Sequence, residues 1–197
     1  MPPIVLLSVS HTGTHFMQKM LDWLDVEYDQ WHVSSVGGWS PGRTCSEIPE
    51  GIKISPLRDP LLVWISVIQR DGRTDWRRAV ERGYRLRAEP LMGYPGNQAA
   101  WEKFFKHDVD AYVRIDGTRE ERSSDLLGIT RLLDVGIPID FDEYVCAWKS
   151  VASAGDDHEL KRAYMERDLN KLAPLIEQVK SIVPEFKARG YTFWWDE

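Results

Sequence analysis

The sequence has little cysteine: Cys45 and Cys146 are its only two, far apart along 197 residues. Two separated thiols make neither a disulfide framework nor a zinc cluster, so a reducing, cytoplasmic setting is expected. Long apolar runs are missing as well. None approaches the roughly 20 residues that a membrane-spanning helix requires, and no membrane partner is expected. The first residues, Met1-Pro2-Pro3-Ile4, lack the basic stretch of a secretory signal and lead straight into an apolar segment. There is no excess of positive charge; the net charge is −6. Grip on a nucleic-acid backbone needs a basic face, so no nucleic-acid partner is expected, while a local cationic pocket for one anionic ligand stays open. Internal repeats, low-complexity tracts and dividing linkers are absent too, and residues 1–197 are expected to form a single domain.

What is present is an alternation of strand and helix patterns. Ile4 to Val9 is a short, branched apolar run, the signature of a strand buried on both faces. A break at His11–Thr14 follows, and then Phe16, Met17, Met20, Leu21 and Leu24 recur at helical spacing. Val26–Val33 reads as a second extended segment and residues 34–51 as a long loop. Ile52–Leu57 is a further strand. It ends at Arg58-Asp59-Pro60, where Asp59 suits a helix cap and Pro60 the first helical position. Helical patterns follow over Leu61–Ile68, Thr74–Arg87 and Gln98–Lys106. Asp110–Ile115 reads as a third strand, before helices over Ser124–Leu133, Leu160–Leu172 and Pro174–Lys187. This alternation predicts an α/β fold with a mostly parallel sheet flanked by helices. Nine tryptophans are unusual. Most are expected in packing, with Trp31 and Trp39 as candidates to stack on an acceptor.

The first turn carries the chemistry. A strand that passes through Gly13 into a helix presents unpaired N–H groups and the positive end of the helix dipole, which together make an anion site. Thr12 and Thr14 add hydroxyls, and His11 a side chain able to reach a phosphate. The loop is not a Walker A motif, since the Gly-Lys pair is missing. His11 and His15 stand one turn apart, but Gly13 intervenes without a third ligand in view, so no metal site is expected. Seven arginines between positions 70 and 87 are read as a solvated helical face.

Ser10-His11-Thr12-Gly13-Thr14-His15-Phe16 resembles the 5′-phosphosulfate loop of the sulfotransferase family, commonly Pro-Lys-Ser/Thr-Gly-Thr-Thr-Trp. Arg58-Asp59-Pro60, with Ser66 eight positions beyond the arginine, resembles the family's second signature, in which both side chains hold a 3′-phosphate. Arg189-Gly190 resembles loosely a third, C-terminal phosphate contact. The resemblance implies a three-layer, P-loop NTPase-like sulfotransferase fold. It also implies 3′-phosphoadenosine 5′-phosphosulfate as donor, 3′,5′-adenosine bisphosphate as product, and a hydroxyl or amine of a small-molecule or glycan acceptor. Ser10, His11, Thr12, Gly13, Thr14, His15, Arg58, Ser66 and Arg189 would bind the nucleotide. His11 stands where the family has a lysine that donates to the leaving oxygen, and histidine does so only in a suitable protonation state. His32, or else His15, is the expected base toward the acceptor. A P-loop kinase-like phosphotransferase and a non-catalytic nucleotide-binding or interaction protein are the alternatives. Acceptor identity and oligomeric state carry no sequence signal.

Overall fold

The computed structural model of the chain describes residues 2–9, 12–34, 37–40, 43–44, 48–70, 101–102, 104–138, 140–141 and 159–196. Ser10, His11, the predicted helix over 74–87 and nearly all of the arginine-rich stretch lie outside these residues. The chain is organised as two compact units: Met1–Val33, Gly37–Arg58 and His107–Ala154 form the first, and Ser34–Val36, Asp59–Lys106 and Gly155–Glu197 the second.

The first unit is built on the apolar run at its start. All six residues of β1 (Ile4–Val9) are buried. β1 pairs in parallel with β2 (Asp29–Ser34) on one side, from Val5↔Asp29 to Val9↔Val33, and with β5 (Ile52–Leu57) on the other, from Ile4↔Ile52 to Leu6↔Ile54. β6 (Ala111–Arg114) extends β5, again in parallel. β3 (Gly37–Ser40) and β4 (Arg43–Thr44) pair antiparallel, giving the order β4-β3-β2-β1-β5-β6. The unit is therefore α/β, with four parallel strands and helices packed against them. The hairpin of β3 and β4 lies inside the segment expected to be loop. Its Gly, Ser and Pro content hides the strand pattern, because edge pairing needs backbone groups rather than apolar side chains.

Alternation along the strands places Ile4, Leu6 and Ile54 on one face. There they meet Phe16, Met17, Met20 and Leu21 of α1 (Thr14–Trp23) and Leu126 and Ile129 of α3 (Arg119–Leu132) in a single core. Each such fully buried side chain stabilises by about 1.5–3 kcal/mol. α3 begins five residues before its expected start. Thr118 accepts the Glu121 amide at 3.1 Å, and the Glu121 carboxylate accepts the Thr118 amide at 2.8 Å. That reciprocal cap holds a polar first turn helical. Arg114, at the end of β6, is clamped by Asp125 at 2.8 Å and Glu121 at 2.9 Å.

The second unit contains α2 (Pro60–Arg70), α4 (Glu159–Met165), α5 (Leu169–Val179), a 3₁₀ turn (Lys180–Ile182) and α6 (Val183–Lys187). The two helices expected at 160–172 and 174–187 divide elsewhere. Arg167 takes a left-handed φ of 57° that stops α4, and Asp168 then caps α5 by accepting the Lys171 amide at 3.1 Å. Pro174 sits inside α5, where Asn170 and Pro174 are exposed and the carbonyl left unpaired can be hydrated. Aromatic packing fills this unit: Trp101 meets Phe186 edge-on at 4.9 Å, and Phe193 stacks on Trp195 at 4.8 Å.

Candidate functional site

Sheet order decides where a ligand can sit. From β1 the chain goes to β2 on one side, then crosses back to β5 on the other. The carboxyl ends of β1 and β5 thus flank a topological switch point, where open parallel sheets bind ligands. The loop after β1 carries Thr12 and Gly13, and Arg58 follows β5 by one residue. Adjacent strands are about 4.8 Å apart, so the two predicted motifs of this unit leave the sheet side by side.

Gly13 adopts φ 101°, a left-handed conformation, and serves as the N-cap of α1. Its carbonyl accepts the amides of Phe16 at 3.0 Å and Met17 at 3.2 Å. A glycine at the N-cap brings no capping side chain of its own, and the first turn of the helix has no acidic residue. Such a helix start carries partial positive charge. The two threonine hydroxyls, expected to face a bound anion, donate inward here. Thr12 Oγ1 donates to the Val9 carbonyl at 2.7 Å, and Thr14 Oγ1 to Ser8 Oγ at 3.1 Å.

Behind the loop lies a polar chain that the sequence did not reveal. Ser8 and His32 are register partners in β1 and β2, on the face covered by α1. The Gln18 amide nitrogen donates to Gln30 Oε1, and Gln30 Nε2 donates to His32 Nε2 at 2.5 Å. His32 is thereby the Nδ1–H tautomer, donating to Ser8 Oγ at 3.0 Å. At the other end, His15 Nδ1–H donates to Gln18 Oε1 at 2.9 Å. Both ring nitrogens of His32 are therefore occupied inside the protein. His15 is exposed. The signal for Ser8 was its place in an otherwise apolar strand; for Gln18, its position three residues after His15.

Burial first, and the charge of His15 second, pull the His32 pKa below the ordinary histidine value. The unfolded chain then binds the extra proton, so stability is full above the unfolded value of about 6.5 and falls as pH drops through it, levelling off below the native value. Urea unfolding at a series of pH values between about 7.5 and 5 should show this decline. His32→Gln should flatten it by up to about 1.4 kcal/mol per pH unit. What His107 adds, whose pKa burial also lowers, should persist in the variant. An identical slope in wild type and variant would remove His32 from this role.

Ser66 and Arg189 belong to the second unit. Ser66 stands in the second turn of α2. Arg189 pairs with Glu185 at 2.9 Å, and its guanidinium lies 4.4 Å over the Phe105 ring. Trp31 is buried, 4% exposed, and packs rather than facing a ligand. Among the described residues no group of three or more His, Cys, Asp or Glu is placed to hold a metal ion. Among them, too, no helix is long and apolar enough to cross a membrane. Comparison of the chain with family models, curated proteins and solved structures gave no match.

Proposed function

We propose that the chain is a sulfotransferase. It would move a sulfonate from 3′-phosphoadenosine 5′-phosphosulfate to a hydroxyl or amine of a small-molecule or glycan acceptor, on a three-layer, P-loop NTPase-like sulfotransferase fold. One observation carries the reading: β1 and β5 are adjacent parallel strands, and the two phosphate-type motifs follow their carboxyl ends at the switch point. The helix start supports the reading. The N-cap of α1 is a glycine and its first turn is free of acid, so no carboxylate opposes an anion there.

In this reading the amides from Thr12 to Thr14 hold the phosphosulfate end, and preorganised N–H donors absorb the charge that develops on the leaving oxygen. His11, at the position of the family's lysine, donates to that oxygen. Arg58 grips the 3′-phosphate with its planar, permanently charged fork. His15 takes the acceptor's proton on Nε2, while His32, held at both nitrogens, orients the Ser8–Thr14 end of the loop. Donor and acceptor are brought in line, and positioning supplies most of the acceleration.

The test is a calorimetric titration with 3′,5′-adenosine bisphosphate in the absence of Mg²⁺, followed by an acceptor screen with radiolabelled donor. Binding should be metal-independent, and Arg58→Ala should weaken it by about 10- to 100-fold, the loss of one or two charge-assisted bonds. A preference for ATP with Mg²⁺ would instead mark a phosphotransferase. No nucleotide binding at all would leave an interaction protein and sink the proposal.

A further inference from the structure

The side-chain amides of Gln18 and Gln30 stand in line between two imidazoles, and each amide has one donating and one accepting end. Gln18 Oε1 faces His15 Nδ1 at 2.9 Å, so that nitrogen carries a proton. Gln18 Nε2 donates to Gln30 Oε1. Gln30 Nε2 faces His32 Nε2 at 2.5 Å, so that nitrogen carries a lone pair. His32 then donates from Nδ1 to Ser8 Oγ at 3.0 Å, where Thr14 Oγ1 also donates at 3.1 Å. From His15 to Ser8 every bond points the same way. Turning one amide alone would set donor against donor at one end and acceptor against acceptor at the other. Bonds left unmade at part-buried groups are costly. The two amides therefore turn together or not at all, and the tautomers of the two histidines are tied.

His15 is exposed, and a free neutral imidazole in water prefers its proton on Nε2. The chain imposes the opposite. We infer that Gln18 and Gln30 are positioning residues that lock His15 with a proton on Nδ1 and leave Nε2 to accept one. A base oriented by a second group is the common arrangement, and here two amides carry the orientation back to an anchor in the sheet. That anchor is His32, half-buried and the register partner of Ser8 in the adjacent strand. β1 and β3 flank β2 and carry no titratable side chain. Asp29 points to the other face of β2, and Lys19 and Asp22 of α1 are exposed. The use of His15 as a base rests on the sulfonate-transfer reading; the lock itself does not.

Ring-nitrogen NMR shifts of the histidines, recorded on the unliganded protein from about pH 8 down to about 5.5, read the tautomers directly. At the upper end, wild type should show both His15 and His32 protonated on Nδ1. Gln30→Leu leaves Gln18 in place beside His15, yet should return most of His15 to the Nε2–H form. Gln30→Glu should rescue it. A carboxylate accepts from Gln18 as before, so His15 keeps its Nδ1 proton, while His32 gains a second proton on Nε2 at higher pH than in wild type. A packing role alone predicts no such changes. Where an acceptor screen yields turnover, Gln30→Leu should lower kcat by roughly three- to tenfold, the share of one minor tautomer, with KM for the donor unchanged. A wild-type His15 protonated on Nε2 overturns the inference, as does an unchanged His15 tautomer in Gln30→Leu. Should Gln30→Leu not fold, a His32 that titrates no higher in Gln30→Glu than in wild type overturns it equally. Turnover by a wild type whose His15 carries its proton on Nε2 keeps sulfonate transfer and removes the lock. The expected tautomers without any nucleotide binding keep the lock and remove that reading.

Discussion

Gly13→Ala is expected to lower the melting temperature by about 10 °C and, on the proposed function, to abolish nucleotide binding at the first loop. Two independent costs combine. At φ 101° an L side chain is strained, by about 1–2 kcal/mol. The new methyl would also stand 2.7 Å from Ile115 Cγ1 and 3.1 Å from two further Ile115 carbons. Ile115 is 4% exposed and belongs to the core with Phe16 and Leu126, so it cannot retreat cheaply. Overpacking of this kind costs about 1–3 kcal/mol. Ile115→Ala separates the two costs. In that background Gly13→Ala should lose the steric cost and keep the strain, so the double variant should be more stable than additivity of the singles predicts, by the steric part alone. Thermal melting with a nucleotide titration on the four proteins of this cycle reads both quantities. A Gly13→Ala protein that melts with wild type and binds pyrophosphate normally would show that the loop is not held as described.

The parts of the fold that the sequence disclosed are those governed by side-chain period. β1, α1, β5 and α2 lie within a residue or two of the apolar patterns that announced them, and Asp59 caps α2 as its place before Pro60 suggested. The early stop of α4 shares its geometry with the stops of α1 and α3. Asp25, Asp134 and Arg167 all take left-handed φ values, 55°, 51° and 57°, at positions where glycine is the usual marker. Each stop is secured by a backbone bond reaching back five residues, such as Val26 N–H to the Leu21 carbonyl at 3.0 Å. Nothing in those side chains signals the turn. The site divides in the same way. The loop at 12–14 and Arg58 were legible because strand-to-helix junctions have a local chemistry. The pairing of Ser8 with His32 depends on strand register, and Gln18 with Gln30 on helix-to-sheet packing, neither of which a linear pattern encodes. Arg122 looked like one more charge in Arg119-Glu120-Glu121-Arg122. In the fold its Nη1 is held by the Ile115 and Gly117 carbonyls, a contact no linear pattern encodes.

Asp59→Ala should be the most damaging single change in the second unit, at about 3–5 kcal/mol. The carboxylate is 3% exposed and serves three donors. Oδ1 accepts the Leu61 amide at 2.8 Å, while Oδ2 accepts the Tyr164 hydroxyl at 2.7 Å and the Trp195 indole N–H at 2.8 Å. Those last two partners are 105 and 136 positions away, so one side chain ties α4 and the C-terminal segment to the start of α2. Alanine removes the helix cap, worth about 1 kcal/mol, and strands buried donors at about 1–3 kcal/mol each. Asp59→Asn is the sharper probe, because it keeps size and shape. Its amide group must face either the Leu61 N–H or the Trp195 N–H, and neither can turn to accept. A loss of about 1–3 kcal/mol is therefore expected even from this isosteric change. Trp195→Phe and Tyr164→Phe leave the carboxylate with two other donors, and each should cost less than Asp59→Asn. Urea unfolding of the four variants gives the ranking. If Asp59→Asn matched wild type while Trp195→Phe did not, the carboxylate would be incidental and indole packing would hold this corner instead.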